Sequence, residues 1–130
     1  MGNRISEKSI VDASMRWLKS LPNCKARKRK GGMVNAGEPD IEGCICGLHF
    51  EIECKAPGNK PTPNQTAKMG QWRNACAIVG VSMSLDDTKK IIWDGLVSAW
   101  DKSEANKILI ASFIKSKGEE CQDNEVGSLK

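Results

Sequence analysis

Residues 48–55, LHFEIECK, carry the pattern that most narrows what this chain can fold into. Phe50, Ile52 and Cys54 alternate with Glu51, Glu53 and Lys55, a period of two that suits a strand with one apolar and one charged face. Just upstream, PDIEGCIC has the composition of a partner strand, and Gly47 marks a tight turn between the two. With Cys46 and Gly47 at the centre of that turn, Ile45 pairs with Leu48, Cys44 with His49, Glu42 with Glu51, and Asp40 with Glu53. Asp40 and Glu53 then share a face, with Cβ atoms about 4.5–5.5 Å apart. A turn centred on Gly47 and Leu48 instead sets Asp40 against Lys55 and Glu42 against Glu53. Either register gathers carboxylates beside Lys55.

The elements around this hairpin follow from periodicity and punctuation. Ser6 is a helix N-cap, and Ile10, Val11, Ser14, Trp17, Leu18 and Leu21 fall on one stripe, so residues 6–20 read as an amphipathic helix ended by Pro22 and Asn23. Glu7 lies on the extension of that stripe. Residues 24–30 suit an extended basic strand, and Gly31, Gly32, Asn35 and Gly37 a loop. After Pro57, Gly58, Pro61 and Pro63, a helix is expected from about Asn64 to Asn74. The run CAIVGVSM, residues 76–83, reads as a strand apolar enough to be central. Asp86 or Asp87 would cap a short helix through Trp93, and Asp101 with Glu104 has capping-box spacing ahead of a last helix to about Lys117. Gly118 would end that helix, leaving 118–130 as a tail and 1–117 as one domain. The order of elements gives an α/β sandwich with a mixed sheet.

At 130 residues the chain suits one domain with a real core. No apolar run reaches the roughly 18 residues that span a bilayer, and the opening MGNRISEKSI lacks the apolar stretch of a secretory signal, so a cytoplasmic protein off the membrane is expected. Six cysteines then stay reduced; Cys44, Cys46 and His49 offer three ligands, one short of a structural zinc site. The net charge is +4, but residues 1–75 hold 13 basic and 7 acidic residues, so the positive field belongs to that half. Lys25, Arg27, Lys28, Arg29 and Lys30 dominate it. They form either a solvated charged edge or a phosphate-binding stripe. Trp17 and Trp100 suit the core; Trp72 and Trp93 suit either a helix face or base stacking.

Opposed carboxylates repel unless something lies between them. A hard dication such as Mg²⁺ or Mn²⁺ removes that cost, and it would also polarise a phosphodiester oxygen. Lys55, on the same face as Glu53, could offset developing charge or help deprotonate water. A solvated charged sheet face, with Lys55 balancing the glutamates, is the other reading of the same spacing.

Taken together, GEPDI followed by EIECKAPGNKPTPNQ resembles the PD-(D/E)XK nuclease superfamily, and within it the virus-type replication-repair nuclease (VRR-NUC) domain, over about residues 5–100. The resemblance rests on Pro39-Asp40, Ile52-Glu53-Cys54-Lys55, Pro57-Gly58 and Gln65. It implies a restriction-endonuclease-like sandwich, a central mixed sheet flanked by helices. It also implies roles. Asp40, Glu53 and the main-chain carbonyl of Cys54 would hold the catalytic Mg²⁺ or Mn²⁺, Lys55 would position or activate water, and Gln65 would complete the site. Glu7 would match the first-helix acid, although a favourable first-turn charge explains it nearly as well. Stand-alone members of viral or bacterial origin resemble Holliday-junction resolvases and act as homodimers. The resemblance therefore implies a dimeric endonuclease on branched, four-way-junction DNA, in a bacterial or phage-infected cell. A nuclease on flaps or duplex DNA, or a DNA-binding module without catalysis, are the alternatives. The apolar segment Ile108 to Ile114 serves either the core or a subunit contact.

Overall fold

The computed structural model describes residues 5–121, with side chains to residue 118. Chain order is α1 (Glu7–Lys19), β1 (Cys24–Lys28), a 3₁₀ turn (Met33–Asn35), β2 (Ile41–Ile45), β3 (Leu48–Cys54), α2 (Pro63–Asn74), β4 (Ile78–Ser82), α3 (Leu85–Ala99) and α4 (Glu104–Cys121). The strands form one sheet in the order β1-β2-β3-β4. Its first three strands are antiparallel, and β4 joins β3 in parallel after the α2 crossover, so the sheet is mixed as expected.

The hairpin takes the first of the two registers, with Glu42 opposite Glu51 and Ile41 opposite Ile52. Cys46 (φ 51°) and Gly47 (φ 80°) both occupy the left-handed region, which a two-residue hairpin turn of the primed type demands. On one face Ile41, Phe50, Ile52 and Cys54 are buried beneath α1, α3 and α4. A Cβ on Gly80 would lie 2.6 Å from Ile91, and one on Gly95 2.6 Å from Ile78, so both glycines let α3 settle directly on β4. Over the turn, α4 accepts hydrogen bonds at the Leu109 carbonyl from Asn23 Nδ2 (3.2 Å) and Cys46 Sγ (3.4 Å).

The other face is roofed as well. Trp72 of α2 stacks on His49 with ring centroids 4.7 Å apart and donates from Nε1 to Glu38 at 3.0 Å. Consequently both faces of β3 are covered, and Glu51 and Glu53 are as deeply buried as Phe50.

Three boundaries depart from the sequence reading. First, β4 is an edge strand; its apolar run reflects cover from α2 on one side and α3 on the other, not a central place. Second, α3 starts at the cap Ser84, whose hydroxyl accepts from Asp87 N, and runs on to Ala99. Third, Ser103 supplies the hydroxyl that caps α4, accepting from Asn106 N at 3.0 Å, so the Asp101/Glu104 box is not used. That helix also passes through Gly118 to Cys121; the rest of the proposed tail lies outside the described residues. No helix among the described residues is long and apolar enough to cross a membrane.

A buried run of hydroxyls ties three elements together. Ser14 Oγ of α1 and Ser82 Oγ of β4 each lie 2.7 Å from Thr88 Oγ1 of α3, and Ser82 Oγ donates to the Ser84 carbonyl at 2.7 Å. Because the Ser82 proton points to Ser84, Thr88 donates to Ser82 and Ser14 to Thr88, which satisfies all three hydroxyls.

Candidate active site

The hairpin register continues one step beyond β2, which places Asp40 opposite Glu53 on the face that α2 roofs. Asp40 Oδ2 accepts from Cys54 N at 2.8 Å, fixing the carboxylate across the end of β3. Glu53 beside it is only 2% exposed, and its Oε1 has no hydrogen-bond partner. Burial first, then the neighbouring Asp40 charge and hydrogen bonding to Asp40, push the Glu53 carboxyl up to about 8; Lys55 partly offsets this and Glu7 adds to it.

Lys55 follows the strand end. Its N–H donates to the Ser82 carbonyl at 2.9 Å, and its Nζ stands 3.9 Å from Glu53 Oε2 and 3.9 Å from Glu7 Oε1. Glu7 reaches this point from the first turn of α1, with its side chain about half exposed. The fold thus gathers Asp40, Glu53, Lys55 and Glu7 in one place. The Cys54 side chain turns to the opposite, apolar face, where burial and then the Asp40 and Glu53 charges raise its thiol to about 12 and keep it neutral. Its main-chain carbonyl stays between Glu53 and Lys55 in the chain.

Gln65 sits in the first turn of α2. Its Oε1 accepts from Thr62 N at 2.8 Å, and its N donates to Thr62 Oγ1 at 3.1 Å, a reciprocal capping box at the start of α2. Of the basic run, Lys25, Arg27, Lys28 and Lys30 are exposed, with Arg27 paired to Glu42 at 2.7 Å. Arg29 departs from the phosphate-stripe reading. Its side chain is 11% exposed and forks onto Glu51 at 2.7 and 3.2 Å, while also pairing with Glu42. Its Nη1 donates to the Pro39 carbonyl and its backbone N to the Asp40 carbonyl, both at 2.7 Å. Arg29 is therefore a clamp that neutralises buried Glu51 and part-buried Glu42 and pins Pro39-Asp40. The signal for it was present in the register: Arg27 faces Glu42, so Arg29 faces Asp40 on the same side as Glu51.

Removing one partner of a buried ion pair costs about 3–5 kcal/mol. Arg29→Met is accordingly expected to lower unfolding stability by about that amount in urea titration, and Arg29→Lys by somewhat less, because an ammonium keeps the charge although it cannot fork. A loss under about 1 kcal/mol for Arg29→Met would put Arg29 back among the free cations.

The donor set fits a hard dication. A buried carboxylate with one oxygen unpartnered, a second carboxylate beside it and an adjacent main-chain carbonyl are all oxygen ligands. Among the described residues no three His, Cys, Asp or Glu side chains are close enough to enclose an ion unaided. Mg²⁺ and Mn²⁺ need no such cluster, since they take one or two carboxylates and fill the rest with water and substrate phosphate. Cys44 is exposed beside His49, whereas Cys46 is buried under α4, so the zinc trio is not assembled.

No family model matches the chain, and no curated protein does. Solved structures do. One titled "VRR_NUC domain" superposes with a TM-score of 0.55 at 21% identity, covering 68% of this chain and 97% of its own. Another, titled "VRR_NUC domain protein", gives a TM-score of 0.59 at 18% identity, covering 72% of this chain and 90% of its own. With its four-stranded mixed sheet between helices, the chain has the restriction-endonuclease-like fold of a VRR-NUC-type domain.

Proposed function

We propose that this chain is a metal-dependent endodeoxyribonuclease that hydrolyses phosphodiester bonds in branched DNA, four-way junctions above all. One observation carries the reading: Glu53 is buried with an unpartnered oxygen, next to Asp40 and within 3.9 Å of the Lys55 ammonium. A buried carboxylate oxygen without a hydrogen bond costs free energy, and such groups cluster where a ligand will meet them.

Asp40, Glu53 and the Cys54 main-chain carbonyl would hold Mg²⁺ or Mn²⁺, and Glu7, beside Lys55, would hold a water. The ion supplies Lewis-acid polarisation of the phosphodiester. The chain's own groups do the rest. Asp40 is held in place by the Cys54 N–H and by Arg29 at its backbone. Lys55, set between Glu53 and Glu7, can take a proton from an attacking water as the free amine, and as the ammonium it can offset negative charge on the phosphoryl oxygens. Lys25, Arg27, Lys28 and Lys30 would hold the DNA backbone. A homodimer would set two such sites about a twofold axis, matching the paired strands of a junction.

The test is cleavage of a four-way junction, a flap and a linear duplex at equal salt, with and without Mg²⁺. Junction cleavage that needs the ion is the expected result. Preference for the flap or duplex reassigns the substrate, and salt-sensitive binding without cleavage at any metal concentration leaves a binding module. Replacing Lys25, Lys28 and Lys30 should flatten the salt dependence of binding by about 0.9 in slope per lost phosphate contact.

A further inference from the structure

Between β1 and β2 the chain makes a closed excursion over residues 30–39, and its tip breaks the usual rule for apolar side chains. Met33 and Val34 are each 96% exposed. Two adjacent large apolar residues with almost no protein contact are costly unless something covers them.

The loop that carries them is built. Its mouth is closed by Arg29 N donating to the Asp40 carbonyl at 2.7 Å, and Asn35 Nδ2 ties back to the Lys30 carbonyl at 2.8 Å. The tip itself is a 3₁₀ turn, entered through Gly32 at φ 119°, a conformation that disfavours any side chain. On the return leg, a Cβ on Gly37 would lie 2.3 Å from Asn64 of α2, so the loop backs directly onto that helix. Lys28 and Lys30 are exposed just before the tip. The mouth is the Asp40 backbone itself. A chain of four residues spans at most about 14 Å, so Met33 stays within that reach of Arg29 at the mouth. On a DNA strand with 3.4 Å per nucleotide, that is about four base steps.

We infer that Met33 and Val34 form an apolar wedge that enters the base stack near the cleaved phosphate, with Lys28 and Lys30 on the flanking backbone. The inference rests on the nuclease reading for the position of the cut, and on the loop alone for the contact with bases. Apolar side chains inserted between base steps unstack and kink a duplex, at a cost that is smallest where stacking is already broken. A branch point is such a place. The wedge would thus supply preference for branched over continuous DNA, a role that the carboxylates and Lys55 cannot fill, since they meet only the backbone.

The experiment uses four-way junctions with 2-aminopurine placed at successive steps from the branch, and Ca²⁺ in place of Mg²⁺ so that binding is read apart from cleavage. Wild type is expected to raise fluorescence at one or two steps. Met33→Ser/Val34→Ser should lose that rise and lower junction binding relative to linear duplex by about tenfold. Its melting temperature should not change, because neither side chain touches the core. Met33→Leu, which keeps the apolar bulk, should retain the signal. Equal fluorescence in wild type and the double serine variant overturns the wedge, as does an absence of any DNA binding. Loss of a dimer in the variant by sedimentation, with unstacking intact, also overturns it and makes the loop a subunit contact. Unstacking by wild type without cleavage under Mg²⁺ leaves the wedge standing and removes the nuclease.

Discussion

Lys55→Ala is expected to slow metal-dependent junction cleavage by about two to four orders of magnitude, the usual range for a positioned proton-transfer group. The ammonium stands 3.9 Å from both Glu53 and Glu7, at the end of a strand that is buried on both faces. No other lysine or arginine forms an ion pair with Glu53 among the described residues, so no neighbour can take its place. Junction binding in Ca²⁺ should stay within about threefold, because the cations proposed to hold the DNA backbone lie on β1 and the following loop. Lys55→Met keeps the aliphatic stem packed and separates lost charge from lost packing. Single-turnover rates for both variants, with thermal melts alongside, make the measurement. Rates within about threefold of wild type would remove Lys55 from the chemistry.

The second large effect is on stability. Glu53 has a folded-state pKa raised from 4.5 to about 8, chiefly by burial. A raised pKa means the folded state holds the proton more tightly than the unfolded chain does. The associated stability is complete below about pH 4.5 and is lost as pH rises toward 8. The decline amounts to something on the order of 4 kcal/mol by pH 8.5. Glu53→Gln keeps the shape and removes the proton, so its metal-free stability should be flatter over this range. On the proposed function Mg²⁺ would bind the ionised form, so it should stabilise wild type increasingly as pH rises and leave the Gln variant unmoved. Urea titrations at pH 5, 7 and 8.5, with and without Mg²⁺, decide the matter. The upper limit stays below the region where the buried thiols of Cys24 and Cys46, raised to about 11 by burial, add their own dependence. Parallel curves for the two proteins would mean that Glu53 carries no unusual proton and holds no ion.

Much of this site was legible in eight residues. The alternation in LHFEIECK fixes which side chains share a face, and Cys46-Gly47 is one of few places where a two-residue turn can form, so Asp40 falls opposite Glu53 by arithmetic. What alternation does not show is whether the charged face meets water. Here α2 covers it, and that one fact converts Arg29 from one cation among five into a clamp on Glu51 and Glu42. Gln65 raises a related point. A polar residue three positions after Thr62 serves a helix start or a site equally well in sequence, and in the structure its amide oxygen takes the local hydrogen bond. The caps of α3 and α4 fell to Ser84 and Ser103 over nearby aspartates, since several small polar residues compete at each helix start and backbone geometry chooses among them. Likewise the run at 78–82 is apolar because α2 and α3 both pack on it, and an edge strand between two helices shares that pattern with a central one.

The hydroxyl run through Ser14, Thr88 and Ser82 has a consequence for how the reactive lysine answers to its surroundings. Lys55 is hung by its main chain from Ser82, and the Ser82 hydroxyl bonds to uncharged partners, the Ser84 carbonyl and Thr88. Nothing in that suspension titrates between acid and alkali, and no counterion can screen it. Whatever buffer strips nucleic acid from the cationic rim should leave the lysine's perch where it was, so grip and geometry answer to different solvents.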